Sequence, residues 1–172
     1  MNDKSRNLLF FYAVVAAIIV LDQAAKSAAL ARFAPGESLA IIPSVFHLTL
    51  VHNRGIAFGL FGGFERILFF AISASIVILT IVGHRLWRQP MARSAAAGEI
   101  NAGCKPAGGL ERAALALILG GAVGNWIDRV RAGAVVDFLD FRIWPIFNLA
   151  DAAITIGVGL YLLYFFKTSK TA

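Results

Sequence analysis

Apolar residues along this chain run in blocks too long and too continuous to be the buried face of a soluble helix. Three blocks, Leu8 to Leu30, Ile67 to Leu86 and Phe147 to Phe166, each reach the roughly 20 residues that an α-helix needs to cross a bilayer. A fourth, Arg112 to Val130, begins apolar and then carries Gly120, Gly121, Gly124, Asn125 and Asp128, so its second half must face protein rather than lipid. The stretch between the first two blocks is punctuated by Pro35 and Gly36 and is long enough to hold structure of its own. Within it, Val45 to Val51 is rich in β-branched and aromatic residues with rough alternation, and Val135 to Ile143 has the same character. Pairing of the two predicts a small sheet, and Phe58, Leu60, Phe61 and Phe64 suit a segment dipping into lipid headgroups. Gln89 to Glu111 is polar, small and aperiodic, and reads as a flexible cytoplasmic connector.

The fold class is therefore an all-α membrane protein with four transmembrane helices, at about 8–30, 67–86, 112–130 and 147–166, and a small extracytoplasmic antiparallel β-sheet. Residues 1–172 form a single integral membrane domain, with the outer β region drawn from about 35–65 and 131–146 and the connector at 89–111. No internal repeat marks it as a transporter of inverted halves.

Composition agrees: 59% of residues are hydrophobic and 15% charged, too few polar groups to cover a soluble domain. The net charge of +6 bears on orientation rather than on nucleic acid, since no basic helix interleaved with aromatics is present. With both termini cytoplasmic, nine Lys and Arg fall inside and seven outside, a small lean in the direction of the positive-inside rule. Cys104 is the only cysteine, which rules out an intrachain disulfide and a Cys-based metal site. Ala102-Gly103-Cys104 looks like the end of a lipobox, but the residues before it are not an apolar signal segment. The first block could pass for a cleavable signal peptide; retention is favoured, because Asp22 lies within it and three spans would leave the ends on opposite sides.

Ionisable and amide groups at membrane depth are costly without partners, so their clustering is informative. Five groups stand out: Asp22 with Lys26; Asn53; Asn125, Asp128 and Arg129; Asp137 with Asp140; and Asn148 with Asp151. All fall near the outer ends of their segments, which predicts one polar site there. Each has a plainer reading. Asp22 and Lys26 can be a helix-end ion pair, Asn125, Asp128 and Arg129 a brace, the glycines a helix-packing face, Asp140 a solvated turn residue, and Asn148 with Asp151 a helix cap.

Asp137 and Asp151 together resist the plainer readings. Two carboxylates in one partly desolvated site share a proton, and such a pair hydrolyses peptides without a covalent intermediate: one takes a proton from water while the other polarises the carbonyl. Competing chemistries lack parts, since there is no HExxH helix and no Gly-x-Ser-x-Gly elbow. On spacing alone, a structural role or a proton relay in a small transporter accounts for the acids as well as a peptidase does, and an assembly factor would use the small-residue face of the third span.

At these residues the sequence resembles the lipoprotein signal peptidase (signal peptidase II) family. The likeness runs in order through Leu21-Asp22-Gln23-Ala24-Ala25-Lys26, Asn53-Arg54-Gly55-Ile56-Ala57-Phe58, Gly120 to Arg129, Val135 to Phe141 and Phe147 to Ile154. Resemblance implies an intramembrane aspartic endopeptidase that cleaves prolipoproteins N-terminal to a diacylglyceryl-modified Cys, with Asp137 and Asp151 catalytic. By the same resemblance Asp22, Lys26, Asn53, Gly55, Asn125, Asp128, Arg129 and Asn148 shape the site or hold substrate. It implies no metal or other cofactor and no nucleic acid; the partners are lipidated prolipoproteins and membrane lipid, a monomer being compatible with this. The place implied is a bacterial inner membrane, with the site near its outer face. Leu149 and Ala152 stand where Val and Ser are expected, and the 89–111 connector is longer than usual in the family.

Overall fold

The computed structural model describes residues 3–54, 65–88 and 109–169. In chain order they form α1 (Asp3–Arg32), β1 (Ser38–Ile42), β2 (Phe46–Asn53), α2 (Glu65–Arg88), α3 (Gly109–Ala132), β3 (Val135–Asp140) and α4 (Leu149–Ser169). All four helices are long and apolar enough to cross a membrane.

Contacts between the helices set their directions. Phe11 of α1 packs on Trp87 of α2 with ring centroids 5.3 Å apart, and Trp126 of α3 donates to Ser73 of α2 at 3.0 Å, so α2 runs against both neighbours. Ile18 and Asp22 meet Gly120 and Gly124, which makes α1 and α3 parallel, while Gly121 against Ala150 and Gly157 against Ala114 make α4 antiparallel to α3. The result is an up-down-up-down bundle. Asp3 and Ser169 lie at the end opposite the sheet.

The central helix is α3: half of its most apolar window is buried, against 17%, 6% and 17% in α1, α2 and α4. Glycine makes that position possible. A Cβ at Gly120 would sit 2.9 Å from the Cβ of Ile18, and one at Gly121 would overlap the carbonyl oxygen of Ala150. Close backbone approach of this kind is how small residues pack helices in lipid. At the end away from the sheet, Phe11, Val15, Trp87, Leu115, Ala116 and Leu119 form an apolar core.

The sheet has three antiparallel strands in the order β1-β2-β3. Pro35 ends α1, and Gly36, at φ +81°, turns the chain so that its N–H reaches the carbonyl of Leu50 at 2.8 Å. Ala29 of α1 joins Leu50, Val136 and Phe138 in a second buried cluster, fixing the sheet to the last turns of α1. A bulge between Leu48 and Val51 offsets β2 against β3, and backbone bonds between Phe147 and residues Phe138 and Leu139 cover part of the outer edge of β3.

Three details differ from the sequence expectation. β1 lies within the outer β region at 35–65 but is not one of the two strands singled out there: every residue of Ser-Leu-Ala-Ile-Ile is exposed, so no buried alternation marks it. Residues 109–111, assigned to the connector, are the first turn of α3. The second strand region ends at Asp140 instead of Ile143, because Arg142 turns the chain at φ +63°. Phe58, Leu60, Phe61, Phe64, Gly55, Cys104 and the rest of the connector lie outside the described residues.

Candidate active site

The C-terminal halves of α1 and α3, the N-terminus of α4 and strand β3 converge under the sheet. At their centre is the ammonium of Lys26, which uses all three of its donors: Asp128 at 2.7 Å, Asp22 at 2.8 Å and the side-chain oxygen of Asn125 at 2.9 Å. Both carboxylates hold other elements too. Asp22 accepts the backbone N–H of Ala150 at 2.9 Å, and Asp128 accepts that of Val136 at 3.2 Å, so α1 is tied to α4 and α3 to β3. Asp22, Lys26 and Asp128 are almost fully buried. Asp22 and Lys26 thus do form an ion pair near the end of α1, and beyond it they are the hub of a four-element brace.

Gln23, named within a sequence block but given no role, belongs to that brace. It donates to Asp128 at 2.9 Å and to the carbonyl of Gly124 at 3.2 Å, and accepts from Arg131 at 3.1 Å. The available signal was an amide in an otherwise apolar span, one residue from an acid.

On this brace sit Asp137 and Asp151. Asn148 and Asp151 exchange capping bonds at the start of α4: the side-chain oxygen of Asn148 accepts the N–H of Asp151 at 2.9 Å, and the carboxylate of Asp151 accepts the N–H of Asn148 at 3.3 Å. The other oxygen of Asp151 accepts from the amide of Asn125 at 2.7 Å. Asn148 donates its side-chain amide to Asp137 at 2.7 Å and to Asn125 at 3.1 Å, and Asn53 donates to Asp137 at 3.0 Å. Asn148 thus touches both carboxylates, and the cap that sequence offered as a plain reading is also what aims them. Burial pushes the Asp137 carboxyl up to about 6 despite the bond from Asn53, and the charge of Asp151 adds to the rise.

Both acids open onto a cleft of about 1240 Å³, bounded by Ile72 and Leu79 of α2, Ile118 and Ala122 of α3, Ile154 of α4 and the segment Ile143–Phe147. Asn53, Arg54, Asn125 and Arg129 line its polar end. Arg129 donates to the carbonyl of Asn125 at 3.4 Å, and its charge acts on both Asp151 and Asp137. The cleft is thus mostly apolar along its length and polar where the two carboxylates lie.

Asp140 does not join this group. Three residues from Asp137 on one strand, it points to the opposite face. It accepts from the Thr49 hydroxyl at 2.8 Å and from Arg142 at 2.8 and 3.1 Å. Burial would raise its pKa, but these bonds outweigh that and hold it below the usual value. It is neither a member of the polar site nor a freely solvated turn residue. Phe138, next to Asp137 on β3, is buried with Ala29 and Leu50.

Residues 14–167 match the family model described as signal peptidase (SPase) II. The lipoprotein signal peptidase of Halothermothrix orenii is 40% identical over 159 residues, 92% of this chain and 97% of that protein. Its counterpart in Brevibacillus brevis is 43% identical over 166 residues, 94% of this chain and 98% of that protein. A solved bacterial membrane enzyme, 29% identical, superposes with a TM-score of 0.72 over 94% of this chain and 90% of its own. With four apolar helices, a small sheet over one end and likeness along nearly its whole length, this chain belongs to the signal peptidase II family of membrane peptidases.

Proposed function

We propose that this protein removes signal peptides from prolipoproteins by aspartic catalysis, with Asp137 and Asp151 as the pair, cutting N-terminal to a diacylglyceryl-modified Cys. The observation that carries the reading is Asn148, which hydrogen-bonds both carboxylates at the polar end of an apolar cleft. The pair holds one proton. Its charged member takes a proton from water as the water oxygen bonds to the scissile carbonyl carbon, and its protonated member gives its own proton to the carbonyl oxygen. As the tetrahedral intermediate collapses and the C–N bond breaks, the pair gives its proton to the leaving nitrogen and takes one from a hydroxyl of the intermediate, so that it again holds one.

Other polar residues act on position. Asn53 and Asn148 hold Asp137, Asn125 and Asn148 hold Asp151, and the Lys26 brace fixes the elements that carry them. Arg129 supplies positive charge beside both carboxylates. Both termini are assigned to the cytoplasm and the site to the outer face of a bacterial inner membrane. The small excess of Lys and Arg on the cytoplasmic side supports that orientation.

Asp137→Asn and Asp151→Asn, each retaining shape but unable to ionise, are expected to abolish cleavage of a lipidated prolipoprotein while the protein still inserts in membranes. The loss expected for a group that moves a proton is at least about 10²–10⁴-fold. Near-normal turnover by either variant would sink the pair. A proton relay would instead leave cleavage absent in the parent protein.

A further inference from the structure

Between the strand carrying Asp137 and the helix carrying Asp151 runs the segment 141–147, of which Ile143 to Phe147 line the cleft. Its first turn is strained. The N–H of Ile143 donates to the carbonyl of Phe141 at 2.7 Å, closing a three-residue turn on Arg142 at φ +63°. A non-glycine residue in so tight a turn at positive φ is unfavourable and persists only where its surroundings hold it. Asp140 is the holder. One of its oxygens accepts the N–H of Arg142 at 2.8 Å, and the other accepts the Arg142 guanidinium at 3.1 Å and the Thr49 hydroxyl at 2.8 Å. Thr49 is in turn 2.7 Å from the hydroxyl of Ser38, so the anchor reaches all three strands. Beyond the turn, Phe141 stacks on Phe147 at 5.9 Å between ring centroids, folding the segment into a closed ledge.

We propose that Asp140 is a positioning residue for substrate capture: it holds the strained turn at Arg142, and through it the cleft wall Ile143–Ile146, without touching the reacting atoms. The proposal rests on the peptidase reading above. Two features separate wall from carboxylate pair. Asp140 faces away from Asp137, and Asn148 is held by its own capping exchange with Asp151 and by the pairing of Phe147 with Leu139. Releasing the turn loosens the wall and leaves the pair in place. The cost then falls on binding, because substrate must re-order residues 142–146 as it enters.

The test is steady-state cleavage of a diacylglyceryl-modified prolipoprotein in detergent micelles by the full-length protein. Asp140→Asn turns one acceptor oxygen into a donor facing Thr49 and Arg142. It is expected to raise KM roughly tenfold with kcat within about twofold. Arg142→Val attacks the same turn from the backbone, since a β-branched residue resists positive φ, and is expected to raise KM similarly with Asp140 intact. Arg142→Gly accepts that φ and should leave KM within about threefold. A fall in kcat at unchanged KM in Asp140→Asn would overturn the proposal, as would equal behaviour of the Val and Gly variants. Should Asp140→Asn fail to accumulate, the two variants at 142 decide alone. Asp137→Asn, run alongside, separates the readings: its continued turnover would sink the peptidase pair, whereas its loss beside an unchanged KM in Asp140→Asn would sink only the role of Asp140.

Discussion

Burial of Asp137 stores free energy against folding. Its carboxyl rises from 3.8 to about 6, so between those values the folded protein binds more protons at this site than the unfolded chain does. Stability therefore falls as pH rises through that window, and the cost is complete above it. A rise of that size corresponds to roughly 3 kcal/mol, an upper figure because Asp137 is coupled to Asp151. Asp137→Asn should accordingly raise the thermal unfolding midpoint at pH 7, reflecting a gain of about 1–2 kcal/mol after allowing for an amide that cannot accept from both Asn53 and Asn148. The gain should vanish below about pH 4, where the parent carboxyl is protonated in both states. Melting curves of both proteins at pH 4 and pH 7 in one detergent check this, and an equal shift at both pH values would contradict it. Position near the outer ends of their segments put Asp137 and Asp151 in one predicted polar site, while resemblance to the family, and not spacing, set them apart from Asp22, Asp128 and Asp140. That Asp140 faces elsewhere follows from alternation along the strand expected at 135–143, but its partners Thr49 and Arg142 do not, because the pairing of β2 with β3 and the turn after β3 bring them to it.

At the scale of elements, α3 carries the site by being thin on one side. Gly121 leaves room for the carbonyl of Ala150, one residue before Asp151, and Gly124 leaves room for the carboxylate of Asp22, 2.6 Å from where a Cβ would lie. Gly121→Ala forces α4 away at its first turn, where the Asn148–Asp151 exchange is made. It should cost about 1–3 kcal/mol and most of the cleavage activity. Gly159→Ala in the same α4 meets nothing within 4 Å and should be neutral or stabilising by up to about 1 kcal/mol. Unfolding midpoints and turnover of the two variants check the contrast, and equal effects would show that α3 and α4 can part without loss. The glycine run was readable as a packing face from its spacing within an apolar span. β1 was not readable, because an edge strand exposed at every position carries no pattern of burial. Gln23 escaped for a related reason: its partners lie more than a hundred residues away on α3, and only the packing of two parallel helices brings them together.

Across the described residues, the polar groups of the site gather at the sheet end, and the opposite end carries Asp3 and Ser169. If that opposite end is cytoplasmic, Cys104, in the chain between α2 and α3, should react with a membrane-impermeant thiol reagent only after the cytoplasmic side is opened. Labelling of sealed cells would invert the orientation and put the site on the wrong face. The cleft argues further about substrate. It is walled by Ile72, Leu79, Ile118 and Ile154 and offers polar partners mainly at its carboxylate end. Such walls have little means of reading a long peptide sequence, but they accept apolar chains. Each methylene moved out of water contributes about 0.8 kcal/mol, whereas acyl chains that remain in lipid throughout gain far less. On the proposed reading, the main effect of a lipid anchor would be positional: it would hold the scissile bond at the depth of Asp137 and Asp151 and convert a search through solution into one within the membrane plane. An otherwise identical precursor lacking the diacylglyceryl group should accordingly be cut at least about tenfold more slowly at subsaturating concentration. Comparing the two precursors at matched micelle concentration measures this, and equal rates would remove lipid from the basis of recognition.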